Sequence, residues 1–395
     1  MIRTARAALL GLGVAAAVAL PAPAAARQFA DVDAAVRLAI KDQVFPGAVV
    51  VIGRRDTILY AKGFGHFTWS ATSPVPSPDS TLWDIASLTK VVATASIAMA
   101  LVDRGQLDLD APVANFLPRF VGDGRERVSV RMLLDHTSGL PAFAPLYKDA
   151  DTREQAIEHL WAVPLRQPPG RSPDYSDLNA ILLGLIVERV TGVPLDQLAR
   201  QEVFDPLGME QTLFAPGAVL RPRIVPSMSD DQGPIAGRPS DPNAFALGGV
   251  AGHAGVFGTG SDLARFAQAW LREGRLADGQ RWVSALTLRQ FLQRSSATST
   301  RTLGWDTPAR NPFLKTTTSF GSMSSPVTYG HTGWSGTSLW LDPAGDLFVV
   351  ILTNRSFDPQ ARQSLIAIRD VRHRVSDAAR TSVLALCAMA NTVRC

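Results

Sequence analysis

Ala48-Val49-Val50-Val51-Ile52-Gly53, a polar break at Arg54-Arg55-Asp56, then Thr57-Ile58-Leu59-Tyr60-Ala61-Lys62-Gly63: this stretch decides the fold. Both runs are short, apolar and rich in β-branched residues, and the break is turn-like, so they read as a β-hairpin. Upstream, Asp31 to Lys41 shows helical apolar spacing at Val32, Ala35, Val36 and Ile40, ended by Pro46-Gly47. Strands return late: His331 to Asp342, a turn at Pro343-Ala344-Gly345, then Leu347 to Thr353, followed by a helical Ala361 to Ala390. Between them lie predicted helices at Ser87 to Asp103, Thr152 to Trp161, Leu178 to Val190, Asp262 to Arg272 and Ala285 to Gln293. The natural solution is α+β: one antiparallel sheet built from the outer segments, flanked by terminal helices, with an inserted all-helical domain. The expected division is 27–107 with 303–395 for the α/β part and 108–302 for the helical part, with a cleft between. Arg221 to Gly260 is rich in Pro, Gly, Ser and Asp and reads as a long loop over a site or a mobile flap.

Of 395 residues, 46% are hydrophobic and 19% charged, a globular balance. The 39 basic and 35 acidic residues are interspersed, so the charge of +4 gives no footprint for nucleic acid. Met1 to Ala26 reads as a secretory signal: Arg3 and Arg6, an apolar Ala7 to Leu20, and Ala24-Ala25-Ala26 before the cut. The apolar run is shorter than the ~20 residues that span a membrane. A secreted or periplasmic location is therefore expected. Cys387 and Cys395 are too few for a disulfide scaffold or an all-cysteine zinc site. Eight helical residues would hold them about 12 Å apart. A bridge then needs the tail to turn back, and two free thiols are equally open.

Three segments could carry chemistry. Ser87-Leu88-Thr89-Lys90 opens the first long apolar helix, and at i and i+3 its serine and lysine share a face. A desolvated lysine can take a serine proton, and the helix start offers N–H groups to a developing oxyanion. Lys90 is followed by Val91-Val92-Ala93-Thr94, and lysine is otherwise confined to Lys41, Lys62, Lys148 and Lys315. Tyr175-Ser176-Asp177 follows a Pro-Gly-rich turn; a tyrosine held rigidly beside a lysine can serve as base and then as acid. Gly330-His331-Thr332-Gly333-Trp334 begins the late strand, where glycines let a ligand backbone approach and a strand edge offers an N–H. The bland alternatives are an ordinary helix start, a tyrosine packed by its ring and a structural histidine.

Together, Ser87-x-x-Lys90, Tyr175-Ser176-Asp177 and His331-Thr332-Gly333 resemble the serine β-lactamase and penicillin-binding superfamily. The branch that looks closest holds class C β-lactamases, D-alanyl-D-alanine peptidases and β-lactamase-like esterases. Phe45-Pro46-Gly47-Ala48, Asp135 to Pro141, Gly248 to Gly255 and Leu352 to Arg355 also look like recurrent segments of that family. The resemblance implies a β-lactamase/DD-peptidase-like fold and an acyl-enzyme on Ser87. It implies Lys90 easing deprotonation, Tyr175 as base and acid, and an oxyanion hole from the Ser87 and Trp334 N–H groups. It further implies that His331 and Thr332 contact a substrate carboxylate or polarise Tyr175. Asp177 and Gly333 complete the substrate-binding set. No metal or organic cofactor is implied, and the partner is a small molecule or peptide such as a peptidoglycan fragment or a β-lactam.

Two residues depart from the pattern. Asp177 stands where the family commonly has Asn, which favours a charged Lys90 and removes an amide donor. His331 stands where β-lactamases usually carry Lys. The leading expectation is an exported serine acyl hydrolase acting on a D-Ala-D-Ala peptide or small ester. The rivals are a class C-like β-lactamase and a non-catalytic cell-wall-peptide binder. Other constellations are absent: there is no G-x-S-x-G and no H-E-x-x-H, and the six histidines (66, 136, 159, 253, 331, 373) lack metal-ligand spacing.

Overall fold

A computed structural model describes residues 28–296, 299–309, 319–357 and 365–389. The Met1 to Ala26 segment and Cys395 lie outside the described residues. Cys387 is disulfide-bonded, so the reading of two free thiols does not hold.

The described strands are β1 Gly47–Arg54, β2 Thr57–Gly65, β3 Trp83–Asp84, β4 Leu213–Phe214, β5 Met228–Asp230, β6 Gly233–Ile235, β7 Val256–Gly258, β8 Tyr329–Thr332, β9 Ser338–Asp342 and β10 Leu347–Thr353. The outer segments join into one five-stranded antiparallel sheet in the order β2-β1-β10-β9-β8. Side-chain alternation explains why both faces of its centre are apolar. Ala48, Val50 and Ile52 of β1, with Leu347, Val349 and Ile351 of β10, meet the terminal helices Ala30–Lys41 and Leu365–Met389. Val49 and Val51, with Phe348, Val350 and Leu352, face the main core and helix Gly260–Leu271. A Cβ on Gly260 would sit 2.7 Å from Val49 Cγ1, so glycine lets that helix settle on the sheet. This helix, grouped by sequence with the helical part, thus packs on the α/β part.

The late segment differs from a single strand over 331–342. It breaks into β8 and β9 around a tight turn at 333–337, closed by Gly333 N–H to Thr337 O. The middle block is mainly helical but also carries the small sheet β3-β7-β4 and the hairpin β5-β6. That hairpin and helix Pro242–Ala246 give the 221–260 segment regular structure. The run Ala86–Asp103 is apolar and long enough to cross a membrane, but it is mostly buried and forms the centre of the core.

Candidate active site

The nucleophile candidate is set by short-range geometry. β3 pairs with β7, and Ile85 N–H continues the ladder to Val256 O. Ala86 then turns left-handed at φ +48°, an uncommon conformation for alanine that costs about 1–2 kcal/mol. The buried Asp84 holds this turn: Oδ1 accepts the Ala86 N–H at 2.9 Å, while Oδ2 accepts the Ser240 N–H and hydroxyl, both at 2.7 Å. Ser87 sits on the single 3₁₀ turn Ala86–Leu88. The expected α-helix begins with a π-wound segment, Lys90–Ala95, before regular winding resumes at Ser96–Asp103. Side chains support that wide turn: Ser96 Oγ donates to Val91 O at 2.7 Å and Thr94 Oγ1 to Gly252 O at 2.7 Å. Such bulges recur at functional sites.

Lys90 is buried, and three oxygens surround its Nζ. Ser87 Oγ lies at 2.8 Å and His253 O at 3.0 Å, while Asp177 Oδ1 at 2.7 Å forms a close ion pair rather than a directed hydrogen bond. An ammonium has three donors and no acceptor, so this surrounding suits the charged form. Burial is the strongest influence and lowers the proton affinity of Lys90. Asp177 and Tyr175 together outweigh it, and the net shift is upward. Asp177 opens helix Asp177–Thr191, where a carboxylate also favours the positive helix end. Glycine brings the far partner in: a Cβ on Gly252 would collide with Ala180 O at 2.0 Å, so only glycine lets the loop before β7 lie on that helix.

Tyr175 stands beside Lys90, whose Nζ is 5.1 Å from the ring centroid. Arg301 covers the same ring at 5.0 Å. His136 and His331 flank it with ring centroids 4.8 and 5.7 Å away. His331 Nδ1 lies 2.9 Å from Thr332 O, and a carbonyl only accepts, so Nδ1 carries the proton. Its Nε2 is buried without a protein partner among the described residues. Burial first, then Lys90 and Arg301, hold this imidazole neutral, well below the ordinary histidine range. With the proton on Nδ1, the neutral ring leaves Nε2 as an acceptor.

Ser87, Tyr175, Asp177, His331, Thr332, Gly333 and Trp334 all line one cavity of about 650 Å³, and Lys90 lies beneath it. Gly333 is where the two walls meet: a Cβ there would be 2.7 Å from Ile85 O and 3.2 Å from Ala86 Cβ. Among the described residues, the N–H groups of Ser87 and Trp334 donate to no protein acceptor. Sequence reasoning missed several wall residues. Arg301 reaches in from the segment that pairs with β8 through Asp306 and Gly330. Arg355 and the buried Arg372 brace the β8–β9 turn through the carbonyls of Trp334 and Gly333. Burial, then Arg355, pushes the Arg372 guanidinium down to about 9. Ser240 and Asp241 come from the 221–260 segment, which therefore borders the site. His253 Nε2 bonds Asp241 Oδ1 at 2.8 Å. Burial alone would raise the Asp241 carboxyl, but His253, the Ala244 N–H and Lys90 hold it at about 2.

The Beta-lactamase family model matches residues 32–372. The chain belongs to the beta-lactamase family. The chain is similar to curated proteins that carry enzyme names. One, called "Putative D-alanyl-D-alanine carboxypeptidase" in Escherichia coli K12, is 32% identical over 361 residues, covering 81% of each chain. Another, "N-acetylmuramyl-L-alanine amidase" of Bacillus subtilis 168, is 32% identical over 355 residues, covering 80% of this chain and 78% of its own. A solved β-lactamase structure from Sulfitobacter sp. EE-36 superposes with a TM-score of 0.71 over 92% of this chain and 99% of that one. At 23% identity it supports the family's fold alone. The chain is a hydrolase of this serine-dependent family, and its α+β architecture is the family's.

Proposed function

We propose that the protein is an exported serine acyl hydrolase that cleaves a D-alanyl-D-alanine-type peptide bond. One observation carries the assignment of roles: Lys90 Nζ lies against Ser87 Oγ, His253 O and the Asp177 carboxylate. An ammonium so held cannot accept the serine proton. Tyr175 takes that proton as base, while Lys90 stabilises the alkoxide that forms. The Ser87 Oγ–carbonyl bond forms, the Ser87 and Trp334 N–H groups receive the oxyanion, and Tyr175 returns the proton to the departing amine as the C–N bond breaks. Water then repeats the sequence in reverse on the acyl-enzyme. Arg301, rather than His331, supplies positive charge for a substrate carboxylate, with Thr332 beside it. Asp177 leaves the site without the amide donor that would orient an acylamide carbonyl, in a β-lactam and a peptide alike, so the choice of the peptide rests on the carboxypeptidase-named relative and not on Asp177.

The equal identity to the amidase-named relative favours a second reading, an N-acetylmuramyl-L-alanine amide as substrate. The test is intact-protein mass and turnover with a fluorescent penicillin, a p-nitrophenyl ester, a D-Ala-D-Ala peptide and a muramyl-L-alanine peptide. The proposal expects an adduct on Ser87 and turnover of the D-Ala-D-Ala peptide, both lost in Ser87→Ala at an unchanged melting temperature. Turnover of the muramyl peptide alone selects the second reading. Labelling at another serine, such as Ser335, removes the basis of both.

A further inference from the structure

Tyr175 is bracketed by a single residue. Asp174 N–H donates to the His136 carbonyl at 2.8 Å, and Ser176 N–H donates to His136 Nδ1 at 3.2 Å. Asn179 Nδ2 lies 3.1 Å from the same Nδ1, and Ser138 Oγ donates to Asn179 Oδ1 at 2.6 Å. Ser176 Oγ donates to Pro141 O and Asp177 N–H to Ala142 O, so the 136–142 loop is stitched to both sides of the tyrosine. His136 itself is buried and left-handed at φ +62°.

A backbone N–H can only donate, so Nδ1 must present a lone pair and the proton must sit on Nε2. We infer that His136 is the positioning residue for Tyr175 and that it works only as this neutral Nε2–H tautomer. Protonating Nδ1 would turn an acceptor into a donor facing the Ser176 N–H. It would also add a cation near Lys90 of the nucleophile helix, Arg301 of the segment before β8, and His331 of β8. The other ionisable groups around it are Tyr175 and Asp177 on the bracketed segment, Asp174 at its edge, and Asp135, which Thr137 engages. Acid therefore unseats Tyr175 while Ser87 and its turn stay in place. The inference rests on Tyr175 being the proton-transfer group.

Two variants and one labelled protein test it. His136→Gly adopts the left-handed conformation without strain and offers no acceptor. His136→Asn tolerates that conformation and places Oδ1 as an acceptor that does not titrate. His136→Gly should lower kcat on the ester about a hundredfold, the scale of a misplaced reacting group, with KM within about threefold. His136→Asn should recover kcat to within about threefold at neutral pH and lose the acid decline that His136 causes. Imidazole ¹⁵N shifts should show Nδ1 bare at neutral pH. In ring-labelled protein, whose four tyrosines give few signals, the Tyr175 resonance should move as Nδ1 protonates, and should not move in His136→Asn. A protonated Nδ1 at neutral pH, or an unchanged Tyr175 resonance in His136→Gly, overturns the inference. If Ser87 is not the nucleophile, the wild-type adduct is missing from Ser87, while the resonances still decide the bracket.

Discussion

Asp177→Asn keeps the side chain's shape and removes the carboxylate 2.7 Å from the Lys90 ammonium. At that distance the gross attraction is about 6 kcal/mol for an effective dielectric of 20. The net cost of breaking a buried pair is about 3–5 kcal/mol, and with Asp177 19% exposed the low end, about 3 kcal/mol, applies. Lys90 can relieve part of this by releasing its proton, which burial already favours. In the wild type its raised affinity contributes stability below about pH 10.5, the ordinary lysine value, and that stability is lost as pH rises through the folded value. The variant should therefore melt about 5 °C lower at neutral pH, and the gap should close only in strongly alkaline buffer. Catalysis should move the other way for amides. The new amide donor is worth about 1 kcal/mol to an acylamide carbonyl, so the peptide-to-ester ratio of kcat/KM should rise roughly five- to tenfold. Differential scanning calorimetry across pH and parallel kinetics on both substrates read the two effects. An unchanged melting temperature together with equal kinetic changes would refute the ion-pair reasoning, as would a selective loss of amide cleavage.

Tyr175→Phe should slow acylation by at least about a hundredfold, the usual scale for a positioned acid–base group; near-wild-type rates with the ester would remove Tyr175 from proton transfer. Gly333→Ala puts a Cβ 2.2 Å from Thr337 Oγ1 and 2.7 Å from Ile85 O. It should cost about 2–3 kcal/mol and slow acylation at least tenfold, because the nucleophile turn and the β8–β9 turn must separate; an unchanged urea midpoint would show that they need not touch. His136 and His331 are held neutral, well below the ordinary histidine value, by burial first and then by neighbouring cations. The unfolded chain then binds protons that the folded one refuses. Stability should fall as pH drops below about 6.5, by up to ~1.4 kcal/mol per pH unit for each histidine. Urea unfolding at neutral and mildly acid pH measures this, and a flat profile would show that one or both titrate freely.

The sheet was legible because its signal is local. Consecutive apolar residues in Ala48–Gly53 and Leu347–Thr353 leave few alternatives to central strands covered on both faces, and each is bounded by turn residues. The break at 333–337 was not, because Trp334 and Thr337 suit a strand, and the turn is stabilised by Arg372, which lies far along the chain. The π-winding of Lys90–Ala95 escaped for a different reason. When every residue of a segment is buried, hydrophobic spacing cannot distinguish one helical pitch from another.

Tautomer was the hardest to foresee, whereas Asp177 already pointed in the sequence to a charged Lys90. Ser87 and Lys90 at i and i+3 fit a lysine base as readily as a lysine cation. What separates the two is the carbonyl of His253 and the carboxylate of Asp177, both supplied by other elements. The same holds for the imidazoles flanking Tyr175. His136 receives the Ser176 N–H and so keeps its proton on Nε2; His331 gives a proton to Thr332 O and so keeps its lone pair on Nε2. With ring centroids 4.8 and 5.7 Å from Tyr175, two neutral imidazoles leave the phenol able to hold or release its proton, where two imidazolium rings would favour only the phenolate. The role proposed for Tyr175, taking a proton in acylation and returning it to the leaving group, needs that balance. The low proton affinity of both histidines, imposed by burial beside Lys90 and Arg301, preserves it across the neutral range.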